Sequence, residues 1–317
     1  MNARGKGPIE IPEPEKQKVP VSDSFKTGYV ALVGRPNVGK STLLNHLIGQ
    51  KISITSRRPQ TTRHRIHGIK TTAAGQAVYV DTPGIHASDK RAMNRYLNRT
   101  AGSALVDVDL IVWVIDQPAW LEEDDLVLAR IKTAGVPVIL VINKVDRFDD
   151  KSALLPFLAS AESRHPFAAL IPVSALKGIN LDVLEARILD LLPKGEPIFP
   201  EDQITDRSER FLAAEIIREK LLRSLGQEVP HALTVEIEQF KLEGTLRRIA
   251  AIIWVERPGQ KAIVIGRKGE VLKKVGERAR SDMEALFEGK VYLQLWVKVK
   301  EGWSDNERAL RSLGFVE

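Results

Sequence analysis

Between residues 28 and 192, short apolar runs alternate with helix-length segments of mixed polarity. The runs at 29–33, 77–80, 110–115, 138–142 and 170–173 are rich in Val and Ile, as strands buried on both faces are. A further strand at 65–70 fits a sheet edge. Strands alternating with helices predict a doubly wound, mostly parallel α/β sheet.

The pattern changes after Pro193, Gly195, Pro197 and Pro200, whose spacing marks a linker at 194–205. A helix is expected at 208–225, with Ala214, Ile217, Leu221 and Leu222 at helical spacing. Two strands follow at 234–240 and 247–255, forming an antiparallel pair. Next come a short apolar stretch at 262–265, a helix at 270–287, a strand at 291–299 and a short helix at 305–313. The division is therefore a first domain at 26–193, the linker, and a smaller α+β domain at 206–317. Residues 1–25 mix Pro, Glu and Lys without an apolar core. They are expected to be a disordered tail and not a signal peptide.

Composition narrows the class. The chain has 317 residues, enough for roughly two domains. Its 47 Lys and Arg exceed its 41 Asp and Glu, a formal charge of +6 that favours a polyanionic partner. It has no cysteine, which excludes disulfides and thiolate metal sites and fits a reducing cytosol. No segment approaches the ~20 apolar residues that a spanning helix needs.

Four motifs carry chemistry in the first domain. Gly34-Arg35-Pro36-Asn37-Val38-Gly39-Lys40-Ser41, followed by Thr42, leaves a strand and opens a helix, the context of a phosphate-binding loop. Its backbone N–H groups would wrap phosphates, Lys40 would neutralise the β and γ phosphates, and the Ser41 hydroxyl would bind Mg²⁺. Asp81-Thr82-Pro83-Gly84 ends the next buried strand. Asp81 there would reach the Mg²⁺ shell through water, and the Gly84 N–H the γ-phosphate. Asn143-Lys144-Val145-Asp146 ends a later strand. The Asp146 carboxylate would accept from guanine N1–H and the exocyclic amine, which adenine cannot offer. Asn143 would brace the loops, and Lys144 would lie along the base. Ser174-Ala175-Leu176 would supply a backbone N–H to guanine O6. Between the first two motifs, Thr61 and Thr62 both fit a switch threonine that orders with GTP.

In the second domain, Ile265-Gly266-Arg267-Lys268-Gly269 precedes a helix bearing Lys273, Lys274, Arg278 and Arg280. This resembles the G-x-x-G loop of a KH domain, where two glycines let the backbone approach nucleic-acid phosphates and an adjacent groove holds about four unpaired nucleotides. Basic charge is concentrated around this loop, the footprint of a phosphate backbone. A second basic cluster (Lys51, Arg57, Arg58, Arg63, Arg65 and Lys70) is equally compatible with RNA contact and with simple solvation.

Taken in this order, Gly-Arg-Pro-Asn-Val-Gly-Lys-Ser, Gln-Thr-Thr-Arg-His-Arg, Asp-Thr-Pro-Gly and Val-Ile-Gly-x-x-Gly resemble the Era-like branch of the translation-factor-related GTPases. The resemblance runs from about residue 28 to the end. It implies a P-loop GTPase domain followed by a type II KH domain, and prefers Thr62 as the second Mg²⁺ ligand. It also implies binding to the 3′ end of small-subunit rRNA, a role in assembly of the 30S subunit, a monomer, and a place in the cytoplasm and peripherally at the inner face of the cell membrane. Ras-like GTPases orient the attacking water with a Gln after the Asp-x-x-Gly motif. Here Ile85 stands there, which implies slow intrinsic turnover. Relatives with an apolar residue at this place carry a loop Asn implicated in K⁺ binding. Asn37 is either such a residue or an ordinary turn residue. Two other readings remain open: a constitutive RNA-binding protein whose nucleotide site is structural, and a GTPase of another pathway such as tRNA modification.

Overall fold

The computed structural model describes residues 24–56, 58, 60–84, 91–148, 152, 154–225 and 233–315. The expected tail lies outside these residues except at its end. There Phe25 is buried and its carbonyl accepts from Gly195 N–H at 3.0 Å. Ile85 and Arg57 also fall outside.

The first domain is built on a six-stranded sheet. Its strands are β1 (Lys26–Val33), β2 (Ile66–Thr72), β3 (Gly75–Asp81), β4 (Leu110–Ile115), β5 (Val138–Ile142) and β6 (Ala169–Pro172). They are ordered β2-β3-β1-β4-β5-β6, with all pairs parallel except β2 with β3. β4 and β5 are buried at every residue, so both faces must be covered, and their uninterrupted Val/Ile runs are what that burial selects. Helices α1 (Lys40–Ile48), α2 (Ala92–Ser103), α3 (Glu122–Ala134), α4 (Leu154–Ala161) and α5 (Leu181–Leu191) alternate with the strands. One core packs Leu43, Leu44, Leu184 and Ile188 under the sheet. The other packs Val127, Ile131 and Phe157 against its reverse face, around Trp113.

The linker is held to the sheet. Gln76 Oε1 accepts from the N–H groups of Ile198 and Phe199 at 2.8 and 2.9 Å, and Ile69 N–H donates to Ile204 O at 2.9 Å.

The second domain has α6 (Glu209–Ser224), β7 (Leu233–Glu243), β8 (Leu246–Val255), α7 (Pro258–Ile265), α8 (Glu270–Leu286), β9 (Lys290–Val299) and α9 (Glu307–Ser312). Ser208 caps α6, its hydroxyl accepting from Phe211 N–H. β8 is central, antiparallel to β7 and parallel to β9. The apolar stretch at 262–265 is the end of helix α7, which opens with Pro258 at its first turn. α6 and α8 cover one face of this sheet through Ile217, Leu221, Val275, Ala279 and Met283. A small fourth cluster joins the domains, packing Met93, Tyr96 and Leu97 of α2 against Trp303, Leu310 and Phe315.

Candidate nucleotide site and RNA-binding loop

The ends of β1, β3 and β5 and the residues after β6 deliver the four nucleotide motifs to one edge of the sheet, where ligands bind in open α/β folds. They border a cleft of about 840 Å³ that also takes in the segment between α1 and β2. α1 is preceded by Gly39, in the left-handed region at φ 108°, with no side-chain cap and no acid in its first turn. Its free N–H groups thus face the cleft, a natural anion site. A Cβ on Gly39 would stand 2.2 Å from Asn143 Nδ2, so the phosphate loop and the base loop touch only because this residue is glycine.

Lys40 is buried, and its Nζ donates to Gly34 O at 2.9 Å and Arg35 O at 2.8 Å. Burial pushes its pKa down to about 8 against the pull of Asp81. It is a cation short of partners, suited to receiving a polyphosphate. Arg35 points elsewhere, binding Asp116 at 3.0 Å and Asp124 at 2.8 Å. Val38 is fully buried, while Pro36, Asn37 and Thr42 line the cleft.

Asp81 is fully buried at the end of β3. Its Oδ2 accepts from Ser41 Oγ and Ser53 Oγ, both at 2.8 Å, while its Oδ1 is buried with no hydrogen-bond partner. Burial raises its pKa, opposed by those hydroxyls and by Lys40. Thr62 Oγ1 lies 2.9 Å from Ser41 Oγ, whereas the Thr61 hydroxyl turns away to Arg58 O at 2.6 Å. Ser41, Thr62 and Asp81 therefore bring hard oxygen donors together, one carboxylate oxygen of Asp81 being without a partner, a set that fits Mg²⁺. The Thr82 hydroxyl donates back to Leu32 O at 2.9 Å, and Gly84 comes against Pro36.

Asn143 joins three loops. Its Nδ2 donates to Val38 O at 2.8 Å, and its Oδ1 accepts from Ala175 N–H at 2.9 Å. Lys144, at φ 64°, donates to Asn37 O at 2.8 Å and to Asp116 at 2.7 Å. Asp146 is exposed, and its Oδ1 accepts from the Ser174 hydroxyl, which holds its pKa below the usual carboxylate value. The carboxylate stays an acceptor, as recognition of guanine requires. Val145 is buried beneath it, and Leu176 is exposed at the rim. Sequence reasoning missed Asp116, which ties Arg35 to Lys144 from the end of β4. It also missed Leu222 and Arg223 of α6, which line this cleft from the second domain.

In the second domain, residues 266–269 turn from α7 into α8. Gly266 has φ 74°, and an added Cβ would stand 2.4 Å from Val271 Cγ2. Lys268 and Gly269 also have positive φ. Arg267, Lys268, Lys273, Lys274 and Arg278 are all exposed, with Ile265 half-buried at the base of the loop.

A family model described as "50S ribosome-binding GTPase" matches residues 29–144, and one described as "KH domain" matches 228–304. The chain is 59% identical over 290 residues to GTPase Era of Pseudomonas aeruginosa, covering 92% of this chain and 95% of that one. It is also 59% identical over 294 residues to GTPase Era of Pseudomonas fluorescens, covering 93% and 98%. Among solved structures, an Aquifex aeolicus Era variant bound to GDP·AlF4⁻ superposes with a TM-score of 0.89 at 41% identity, covering 92% of this chain and all of that one. Era in complex with MgGDPNP and nucleotides 1506–1542 of 16S ribosomal RNA superposes equally well at 42% identity, with the same coverage. With the phosphate loop, the base loop and the G-x-x-G turn each in place on one continuous chain, this protein belongs to the Era family, GTP-hydrolysing proteins that carry a KH domain behind the GTPase domain.

Proposed function

We propose that this protein is a GTP-controlled factor that binds the 3′ end of 16S rRNA through its KH loop and acts in assembly of the small ribosomal subunit. The observation that carries this reading is the 266–269 turn, with exposed Arg267 and Lys268 at its tip and Lys273, Lys274 and Arg278 on the helix it opens. The Era structure that holds both MgGDPNP and a 16S fragment supports it.

Within this reading, Lys40 and the α1 N-terminus receive the phosphates, and Ser41, Thr62 and Asp81 (through water) hold Mg²⁺. When bound, Mg²⁺ supplies charge neutralisation at the β and γ phosphates. Asn143 fixes the phosphate and base loops to each other, Asp146 reads guanine, and Lys144 flanks the base. Because Ala175 N–H already donates to Asn143, guanine O6 would share that donor or take the one at Leu176. The site is proposed to take GTP and GDP in a monomer acting in the cytoplasm, with peripheral attachment to the inner membrane face through basic residues. Among the described residues, no helix is long and apolar enough to cross a membrane.

Asn37 has φ 65° and its carbonyl is used by Lys144, while its side chain is exposed. We assign that side chain to K⁺ binding. Equal hydrolysis rates in K⁺ and Na⁺ buffers would return it to a turn role.

The deciding experiment is GTP hydrolysis by the full chain in K⁺ buffer, with and without RNA matching the 3′ end of 16S rRNA. Stimulation that disappears in Gly269→Asp supports a coupled RNA-responsive switch. A constitutive RNA-binding protein would bind that RNA with the same affinity whether it holds GTP or GDP.

A further inference from the structure

The segment between α1 and β2 is gripped by the second domain at two points. Near its start, Thr55 N–H donates to Glu219 Oε1 at 3.0 Å. Arg223 donates to Thr55 O at 3.0 Å and to Thr55 Oγ1 at 2.8 Å. Near its end, Arg218 donates to the carbonyls of Gln60 and Thr61, held in place by Glu215 at 2.7 Å. The next residue is Thr62, beside Ser41. One helix of the second domain, α6, thus holds this segment at Thr55 and again at Gln60 and Thr61, next to Thr62 at the candidate Mg²⁺ site.

Glu219 is the centre of this grip. It is fully buried, and a buried carboxylate is retained only when its oxygens are fully engaged. Its Oε1 takes Thr55 and Arg223, the latter at 2.9 Å, and its Oε2 takes Lys51 Nζ at 2.5 Å and Lys220 Nζ at 3.2 Å. Both lysines also donate to Asp282, from Lys51 at 3.0 Å. Asp282 belongs to α8, the helix that the 266–269 loop opens. An unbroken chain of charged hydrogen bonds therefore runs from the RNA-loop helix, through Asp282, Lys51 and Lys220, to Glu219 and Thr55 at the nucleotide cleft. An ion pair that only docked two domains would not need its carboxylate oxygen on the N–H of a residue lining that cleft.

We propose that Glu219 is a positioning residue for GTP turnover, fixing Thr55 and hence Thr62, and that Asp282 is the arm through which RNA on the 266–269 loop acts on it. The second half rests on the reading of that loop as an RNA site. Movement of α8 on RNA binding would pull on Lys51 and Lys220 and so shift the charge partners of Glu219. Such a link is a two-state element that both ligands bias.

The test uses the full chain. Glu219→Gln keeps the shape and an acceptor for Thr55 but removes the charge that holds Lys51 and Arg223. It is expected to lower kcat for GTP about tenfold while GDP affinity stays within about twofold, because misplacing a segment that acts in turnover costs far more than uniform binding. Thr55→Ala, which removes the hydroxyl that meets Arg223 and Glu219 and leaves the ion network intact, is expected to lower kcat in the same direction and reads the proposal if Glu219→Gln does not fold. Asp282→Asn should keep RNA affinity and lose most of the RNA stimulation, read as the ratio of the variant's stimulated kcat to its own unstimulated kcat. Unchanged kcat in both Glu219→Gln and Thr55→Ala, or equal losses of GTP and GDP affinity with a lowered Tm, overturns the positioning role. Full stimulation in Asp282→Asn overturns the arm. If the wild-type protein does not bind the RNA at all, the reading of the loop fails, and the kcat arm still decides the role of Glu219.

Discussion

His64 stacks on Phe315, their ring centroids 4.9 Å apart and the planes 21° from parallel. Tyr96 and Phe211 meet the same imidazole edge-on at 6.3 and 5.4 Å. The residue two places after Thr62 is thus packed against α2, the start of α6 and the end of the chain at once. Burial pushes its pKa down to about 4 from an ordinary 6.5.

The sign of the resulting pH dependence follows from that depression. The folded protein holds His64 neutral, while the unfolded chain takes up a proton below pH 6.5. The stability due to neutral His64 is complete above that value and is lost progressively as pH falls toward 4. The loss at pH 5 should be about 2 kcal/mol. Urea titrations at pH 7.5 and 5.0 would measure it, and His64→Phe should remove most of the difference between the two.

Asp146→Asn replaces a pure acceptor with an amide that, with its oxygen on N1–H, turns a donor toward the exocyclic amine of guanine. GTP affinity should fall by about 100-fold or more. Xanthosine triphosphate, whose C2 oxygen accepts where guanine donates, should become the better ligand. Competition against a fluorescent GDP analogue would report both changes.

Asn143→Ala removes two buried hydrogen bonds, to Val38 O and from Ala175 N–H, and leaves both backbone groups unsatisfied. Stability should drop by about 2–4 kcal/mol. The GDP dissociation rate should rise as well, because the phosphate loop and the base loop lose their common brace. Denaturation and stopped-flow release are the two measurements.

Gly266→Ala and Gly269→Ala should differ. The first would force a Cβ to 2.4 Å from Val271, while the second meets nothing within 4 Å and carries only the strain of its positive φ. RNA affinity should fall by about tenfold or more in Gly266→Ala and by only a few-fold in Gly269→Ala. GTP hydrolysis without RNA should stay at wild-type rates in both. Filter binding alongside a phosphate-release assay separates the effects.

The sheet was legible because β4 and β5 need apolar side chains on both faces, which leaves a run no helix or loop would carry. The nucleotide motifs could be picked out because each is local, with Gly39, Lys40 and Ser41 in adjacent positions. α7 was not, since only Val264 of its residues is buried and so no helical period appears. The contacts of Glu219 with Thr55, and of Arg218 with Thr61, join residues more than 150 positions apart. Nothing in the spacing of a sequence encodes such a pair. α6 reads simply as an amphipathic helix of the second domain, although its charged residues finish the wall of a cleft in the first.

The antiparallel strand β2 ends the six-stranded sheet, and residues 204–206 lie along its outer side, with Ile204 O on Ile69 N–H, Thr205 bridged to Gly68, and Asp206 Oδ1 on His67 N–H at 3.2 Å. The stretch between the domains therefore serves as a hem for a border that would otherwise offer open backbone groups to another chain. A GTPase domain cut at residue 193 would lose that cover and should tend to self-associate, edge to edge. One cut after Asp206 would keep it, so the natural seam for dissecting this protein lies on the far side of its linker.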